Sequence, residues 1–132
     1  MKMVKFLAVL LALILLAGCG SKTANAEIVI GESELYSEKE IRSAMDEVLD
    51  AFEKGFPGCT LLKLWYDEES SLKEADHWAE QYGGEKAIVL YSNYWVDGSG
   101  ENPTQNPNSL YKNWSWILIW NGFGWELKDC GY

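Results

Sequence analysis

The stretch NWSWILIWNGFGWELKDC, residues 113–130, decides the fold of this chain. An Asn-Gly pair between two runs rich in aromatic and β-branched residues is the strongest short-range signal for a β-hairpin. Asn121-Gly122 occupies that place, so we predict strands over 113–120 and 123–130. A two-residue turn would pair Trp120 with Phe123, Leu118 with Trp125, and Trp116 with Leu127.

The alternation of side chains along each strand assigns two faces to this hairpin. The six paired residues share one apolar face, which we predict to be the core side. The other face is expected to be the wetter one, and it carries Ser115, Ile117, Ile119, Gly124, Glu126 and Lys128.

Tryptophans are the candidate ligand-binding residues of the hairpin. The four in question are Trp114, Trp116, Trp120 and Trp125. Because they share a face with leucines and a phenylalanine, we interpret them first as core residues. The alternative is a solvent-facing row whose flat indole rings stack on the sugar rings of a cell wall.

The clearest helix is predicted over residues 38–54. Ser37 and Glu40 form a capping-box pattern at its start, and Gly55 and Pro57 end it. Its apolar residues recur at three- and four-residue steps: Ile41, Ala44, Met45, Val48, Leu49 and Phe52. We expect this stripe to pack across the apolar face of the sheet.

Two more strands and a long loop lie between this helix and the hairpin. Residues 59–66 predict a strand whose inward side chains are Leu62, Leu64 and Tyr66. Residues 86–96 predict a strand that is apolar on both faces and is therefore central. Residues 97–108, rich in Gly, Pro and Asn, predict a loop.

A second, shorter helix is predicted over residues 71–82, capped by Ser70 or Ser71. Its expected buried residues are Leu72, Ala75, Trp78, Ala79 and Tyr82. The element order predicts an α+β fold, a curved antiparallel sheet of about four strands packed on one long helix with the short helix beside it.

The N-terminus has the layout of a secretory signal peptide, with a basic start at Lys2 and Lys5 and an apolar run over residues 6–18. The run is shorter than the about 20 residues that a membrane-spanning helix needs. The sequence LAGC, residues 16–19, resembles the bacterial lipoprotein box, in which the cysteine thiol receives a diacylglyceryl group and the chain is cut before it. We therefore predict a signal peptide over 1–18 and lipid attachment at Cys19.

The lipid anchor also predicts the location and the domain boundaries. We expect the chain to lie at the outer face of the bacterial cell membrane, with a tether over residues 19–35 and a globular domain over residues 36–132. The tether contains a candidate brief strand over residues 28–30. The formal net charge of −9 repels nucleic acid and anionic headgroups. The acyl chains, rather than charge, are therefore expected to hold it to the membrane.

Cys59 and Cys130 remain as a pair once Cys19 carries lipid. In an exported chain such a pair can form a disulfide, which would contribute about 4 kcal/mol for a loop of this length. Two free thiols are the alternative. Together with His77 they supply too few ligands for a zinc site, so we expect no metal and no cofactor.

No catalytic residue is predicted. Asp67, Glu68 and Glu69 are explained by their place before the second helix. His77 has polar neighbours and is expected to face water. Asp129 is the acidic residue predicted nearest to an inward position.

The part of the chain from Tyr36 to Tyr132 carries a set of recurring fold motifs. They are Tyr36-Ser37, Gly58-Cys59-Thr60-Leu61, Leu64-Trp65-Tyr66-Asp67-Glu68, Ala87-Ile88-Val89-Leu90, Asn106-Pro107-Asn108-Ser109, Trp114, Trp116-Ile117-Leu118, Trp125, Leu127, Asp129, Gly131 and Tyr132. In these motifs the chain resembles a group of Gram-positive bacterial lipoproteins with a domain of unknown function, DUF4829 or a neighbouring NTF2-like type. The resemblance implies a cystatin- or NTF2-like roll and transfers no active site.

We therefore expect a membrane-anchored, extracytoplasmic module that binds a protein or a cell-wall glycan without catalysis. The alternatives are an NTF2-like pocket enzyme and a carbohydrate-binding module that uses exposed tryptophans. An enclosed cavity that holds a carboxylate and a tyrosine would favour the enzyme. A solvent-facing row of indoles would favour the binding module.

Overall fold

The computed structural model describes residues 22–132. Their elements are β1 (Glu27–Ile30), α1 (Glu38–Gly55), β2 (Cys59–Tyr66), α2 (Glu68–Gln81), β3 (Ala87–Val96), β4 (Ser109–Trp120) and β5 (Trp125–Gly131). The predicted signal peptide and Cys19 lie outside the described residues.

The five strands form one mixed sheet in the order β1-β2-β3-β4-β5. β1 runs parallel to β2, and the other neighbours are antiparallel. The α+β class is confirmed, and β3 is central as predicted. The predicted four antiparallel strands lack β1, which lies at the edge of the sheet.

Helix α1 lies on one face of the sheet and begins where the sequence predicts. Ser37 and Glu40 form the capping box, in which each side chain accepts a hydrogen bond from the other residue's backbone N–H. The buried residues of α1 are Ile41, Ala44, Met45, Val48 and Phe52. They pack with buried residues of the sheet, among them Leu64, Leu90 and Leu118, to form the main core.

Helix α2 packs on the opposite face, which the sequence did not predict. Ala75 and Ala79 contact buried Val89 of β3 and buried Ile117 and Ile119 of β4. The prediction that this is the wetter face is therefore wrong for the two isoleucines. The sheet lies between two helices instead of covering one.

The start and the buried side of α2 also differ from the prediction. Asp67 is the N-cap, and its carboxylate accepts a hydrogen bond from the backbone N–H of Ser70. Glu68 and Glu69 consequently belong to the first turn, where negative charge meets the positive end of the helix dipole. Leu72 is 48% exposed and Tyr82 is 36% exposed, so the buried stripe is narrower than predicted.

The hairpin of β4 and β5 forms, with a longer turn than predicted. Trp120 pairs with Trp125, Leu118 with Leu127, and Trp116 with Cys130. The side-chain oxygen of Asn121 accepts hydrogen bonds from the backbone N–H groups of Phe123 and Gly124, which leaves Phe123 96% exposed. At Trp120 and Leu118 the register is shifted by two residues, so Trp125 and Leu127 stay on the core face as predicted. The prediction of Phe123 on that face is wrong, because Phe123 belongs to the turn.

A β-bulge alters the inward face of β2. The pairing with β3 is irregular between Leu61 and Lys63, so Leu61 is buried and Leu62 is 43% exposed. The prediction of Leu62 as inward is wrong, because strict alternation does not survive an extra residue. Leu64 and Tyr66 are buried as predicted.

The folded part begins before Tyr36, the predicted domain boundary. Thr23, Ala24 and Ala26 are buried, and β1 extends the sheet beside β2. From Lys22 onward, the segment predicted as a tether is therefore packed on the domain. Within residues 22–132 no helix is long and apolar enough to cross a bilayer.

Candidate functional site

Helix α2 covers only part of its face of the sheet, because its contacts with β3 and β4 involve residues 87–91 and 117–119. The rest of that face, which we call the open face, has no helix over it among residues 22–132. Alternation and strand register place these side chains there: Thr60, Lys63, Trp65, Asn93, Trp95, Leu110 and Lys112. Trp95 and Leu110, which are cross-strand partners, are 39% and 45% exposed.

A cleft of about 320 Å³ lies where the flank of α2 meets the open face. We call it the α2 cleft, and its lining residues are Trp65, Ser70, Lys73, Glu74, Tyr91 and Asn113. It is open to solvent along one side, and it combines two aromatic rings with hydroxyl, ammonium, carboxylate and amide groups. Concave sites of this kind, an apolar surface with a few polar groups, are typical of small-ligand binding.

The aromatic floor of the cleft consists of Trp65 and Tyr91, which are paired across β2 and β3. Their ring centroids are 6.1 Å apart and their planes differ by 30°. The ammonium group of Lys63 lies 5.0 Å from the Trp65 ring centroid, close enough for a cation–π contact. Strand pairing places the two side chains next to each other, and their ring contact helps to hold them in place.

The hydroxyl of Tyr91 donates a hydrogen bond of 2.7 Å to a carboxylate oxygen of Glu74. Burial and, next, this carboxylate raise the pKa of Tyr91. Tyr91 therefore stays protonated, and its hydroxyl holds Glu74 at the wall of the cleft. The second oxygen of Glu74 remains an acceptor site.

Asn113 reaches the cleft through an irregular backbone. Its φ is 58°, in the left-handed region where non-glycine residues are uncommon, and its backbone N–H donates to the side-chain oxygen of Asn93. This lies where the pairing of β3 and β4 shifts register, between Ser92 and Tyr94. Bulges often turn a side chain toward a site. Here the irregular pairing of β3 and β4 brings the side-chain amide of Asn113 to the lining of the α2 cleft.

The four tryptophans predicted as candidate ligand-binding residues lie on the α1 face and pack with the core. Trp116 and Trp125 are buried, and Trp114 and Trp120 are half-buried against the same cluster. The indole N–H of Trp116 donates to the hydroxyl of Ser92 at 2.8 Å. These four do not form a solvent-facing row.

Cys59 and Cys130 are both free thiols, and the structure does not bring them together. They lie on β2 and β5, which β3 and β4 separate, a distance of about 14 Å at the usual strand spacing. A disulfide needs Cα atoms within about 7 Å. Burial raises the pKa of both thiols, which makes them weak nucleophiles at neutral pH.

The remaining candidates stay apart from the cleft. Glu68 accepts hydrogen bonds from Ser33, Glu34 and Tyr66, so it anchors the segment before α1. His77 is exposed, and Asp129 accepts a hydrogen bond from the backbone N–H of Cys130. Within residues 22–132 no three His, Cys, Asp or Glu side chains converge to hold a metal ion.

Sequence reasoning missed the cross-strand pairing of Trp65 with Tyr91. The available signal was the small size of the residues that α2 offers to the sheet, Ala75 and Ala79, because a stripe of alanines covers little area. Asn113 gave no signal, since its backbone conformation depends on register.

No family model, curated protein or solved structure matches this chain. The resemblance to the Gram-positive lipoproteins therefore stays a prediction, and the site rests on its geometry.

Proposed function

We propose that this protein is a non-catalytic binding module, lipid-anchored at the outer face of the bacterial membrane, that holds a sugar ring in the α2 cleft. The observation that carries the proposal is the stacked pair Trp65–Tyr91 in an open cleft with polar walls. A sugar presents both apolar C–H groups and hydroxyls, and each has a counterpart here.

The chemistry of the walls supports a polyhydroxylated ligand. Asn113 offers both donors and an acceptor, Glu74 offers an acceptor that Tyr91 holds in place, and Ser70 offers a hydroxyl. Lys73 adds a positive charge, which suits a glycan that carries a carboxylate or phosphate. Cell-wall glycan is the partner that fits this chemistry and the proposed location.

The location rests on the lipoprotein box. Cleavage before Cys19 and a diacylglyceryl group on its thiol would supply an anchor with two acyl chains, which is stable where one chain is not. The intact mass of the protein, purified from a bacterial host after expression with residues 1–18, tests this. An unmodified Cys19 would contradict the lipid-anchored part of the proposal.

Binding is tested by calorimetric titration with a soluble disaccharide of the cell wall, N-acetylglucosamine linked to N-acetylmuramic acid. Trp65→Ala is expected to weaken binding at least tenfold, about 1.4 kcal/mol. Phe123→Ala, at the far tip of the hairpin and fully outside the cleft, is the matched control and should bind as the wild type does. Equal binding by wild type and Trp65→Ala, or no binding by the wild type, would reject the proposal that the α2 cleft binds this sugar.

A pocket enzyme remains the second candidate, because one observation favours it. Glu74 and Tyr91 place a carboxylate oxygen and a phenol oxygen 2.7 Å apart at the cleft wall, and each of these groups can act as a general acid or base. Mass spectrometry of the disaccharide after prolonged incubation separates the two candidates. An unchanged probe supports the binding module, whereas conversion that Glu74→Gln abolishes supports the enzyme.

A further inference from the structure

The point at which the chain joins the domain constrains how the domain sits on a membrane. The carbonyl of Lys22 accepts a hydrogen bond of 3.0 Å from the backbone N–H of Leu61 on β2. The backbone N–H and hydroxyl of Thr23 both donate to the carboxylate of Glu53 on α1. The chain is thus attached to two elements of the fold from Lys22 onward.

Only three residue steps separate Lys22 from Cys19. Because consecutive Cα atoms are 3.8 Å apart, the two Cα atoms cannot be more than about 11 Å apart. A lipid on Cys19 would therefore hold the Lys22 end of the sheet within about 11 Å of the acylated residue, close to the headgroup region of the bilayer. The domain cannot stand away from the bilayer as it could on a tether over residues 19–35.

The surface at this end of the sheet is apolar and exposed. Trp95 lies between Thr60 of β2 and Leu110 of β4, one row of the sheet from the Leu61 that Lys22 contacts. Trp95 and Leu110 are 39% and 45% exposed, and the bulge residue Leu62 is 43% exposed. We call Leu62, Trp95 and Leu110 the rim.

The charged groups around the rim nearly balance. Lys63 and Lys112 lie on the open face beside it, Glu27 is the strand partner of Lys63, and the loop that follows β3 contributes Asp97 and Glu101. The attraction available to a membrane is therefore mainly that of the apolar side chains. Tryptophan is favoured at the membrane–water interface, where its ring meets both phases, and lysine stems extend along apolar surface while the ammonium stays in water.

We infer that the rim rests in the headgroup region of the bilayer that holds the anchor. This inference depends on the lipid-anchored part of the proposed function and adds an orientation to it. Tyr91 lies four residues from Trp95 along β3, about 13 Å at the strand rise, so the α2 cleft would face the space just above the headgroups. The ligands within reach are then those close to the membrane surface.

The experiment uses the full mature chain with its lipid, reconstituted into phosphatidylcholine vesicles. A nitroxide label is placed by Leu110→Cys at the rim or, as the control, by Phe123→Cys at the exposed hairpin tip at the other end of the sheet. Cys59 and Cys130 are changed to Ala in both chains, and power-saturation spectroscopy compares access of oxygen and of a water-soluble nickel complex. We expect the label at position 110 to be at least threefold more accessible to oxygen relative to nickel than the label at position 123.

Equal, water-like values at the two positions in the acylated protein would overturn the inference and leave the anchor and the cleft intact. An intact mass without acyl groups would overturn both the anchor and the inference. Because the balanced charges predict apolar contact, the result should change less than twofold in 0.5 M salt. Loss of the contrast between the two labels in salt would reject the apolar basis of the contact.

Discussion

The two faces of the sheet differ in how completely a helix covers them. On one face, the 18 residues of α1 present a continuous stripe of large side chains, and aromatic residues of β4 and β5 fill the space beneath it. On the other face, the 14 residues of α2 bury only Ser71, Ala75 and Ala79, and part of the sheet stays open. The size of the buried residues on each helix therefore determines how much of the sheet face beneath it is covered.

The largest expected effect is a difference in stability loss between truncating Trp116 on the core face and truncating Trp65 on the open face. Trp116→Ala should lower the free energy of unfolding by about 3–5 kcal/mol, because Trp116 is 1% exposed and its loss also leaves Ser92 without a donor. Trp65→Ala on the open face should lower it by about 1 kcal/mol or less. Urea denaturation measures both. Similar losses for the two variants would contradict the division of the sheet into a core face and an open face.

The next effect tests how closely the chain after α2 approaches the sheet. A Cβ atom at Gly84 would lie 2.2 Å from Cγ2 of Ile119, which is itself buried. Gly84→Ala should therefore destabilise the protein by about 1–3 kcal/mol through overpacking. Gly55→Ala at the end of α1 is the matched control, since a Cβ there has no neighbour within 4 Å. A neutral Gly84→Ala would show that the α2 layer is loosely packed.

What the sequence predicts differs between the two faces for physical reasons. The stripe of α1 and the apolar pattern of β3 are local and strong, so those elements and their burial follow from periodicity. The face on which α2 packs does not follow from periodicity, because an apolar stripe on a helix can pack on either side of a sheet. The bulge at Leu62 and the positive φ of Asn113 depend on register, which alternation alone does not contain.

The candidate site could not be predicted from the sequence either, because it depends on long-range packing. Trp65 and Tyr91 come from different strands, and their exposure results from what α2 leaves uncovered. Residues 22–30 were interpreted as a tether because the apolar patch over residues 28–30 is short. Parallel pairing with β2 stabilises this strand, and long-range pairing of that kind has no local signature.

A smaller effect compares the N-caps of the two helices. Ser37→Ala should cost about 1 kcal/mol, because the hydroxyl satisfies a backbone N–H at the start of α1. Asp67→Ala should cost a similar amount at α2, where the carboxylate accepts from Ser70. Thermal unfolding measures both, with Glu47→Ala on the exposed side of α1 as a control expected within about 0.5 kcal/mol of the wild type. A cap variant no different from this control would show that its helix end is held by packing alone.

The smallest effect concerns the carboxylate that connects the two layers, and it depends on pH. Glu68 belongs to α2, yet it accepts hydrogen bonds from Ser33 and from the backbone N–H of Glu34, before α1. The Ser33 hydroxyl, followed by that N–H, lowers the pKa of Glu68 below 4.5. A pKa that is lower in the folded state gives stability that is present above the ordinary pKa and is lost as the pH falls through the folded value.

The wild type should therefore have a higher urea midpoint than Glu68→Gln at pH 7, and the difference should shrink steadily below pH 4.5. Glu47→Gln, which removes a solvent-exposed carboxylate of α1, is the matched control. If the difference in urea midpoint between wild type and Glu68→Gln stayed constant from pH 7 to pH 3, the shape of the Glu68 side chain rather than its charge would make this connection.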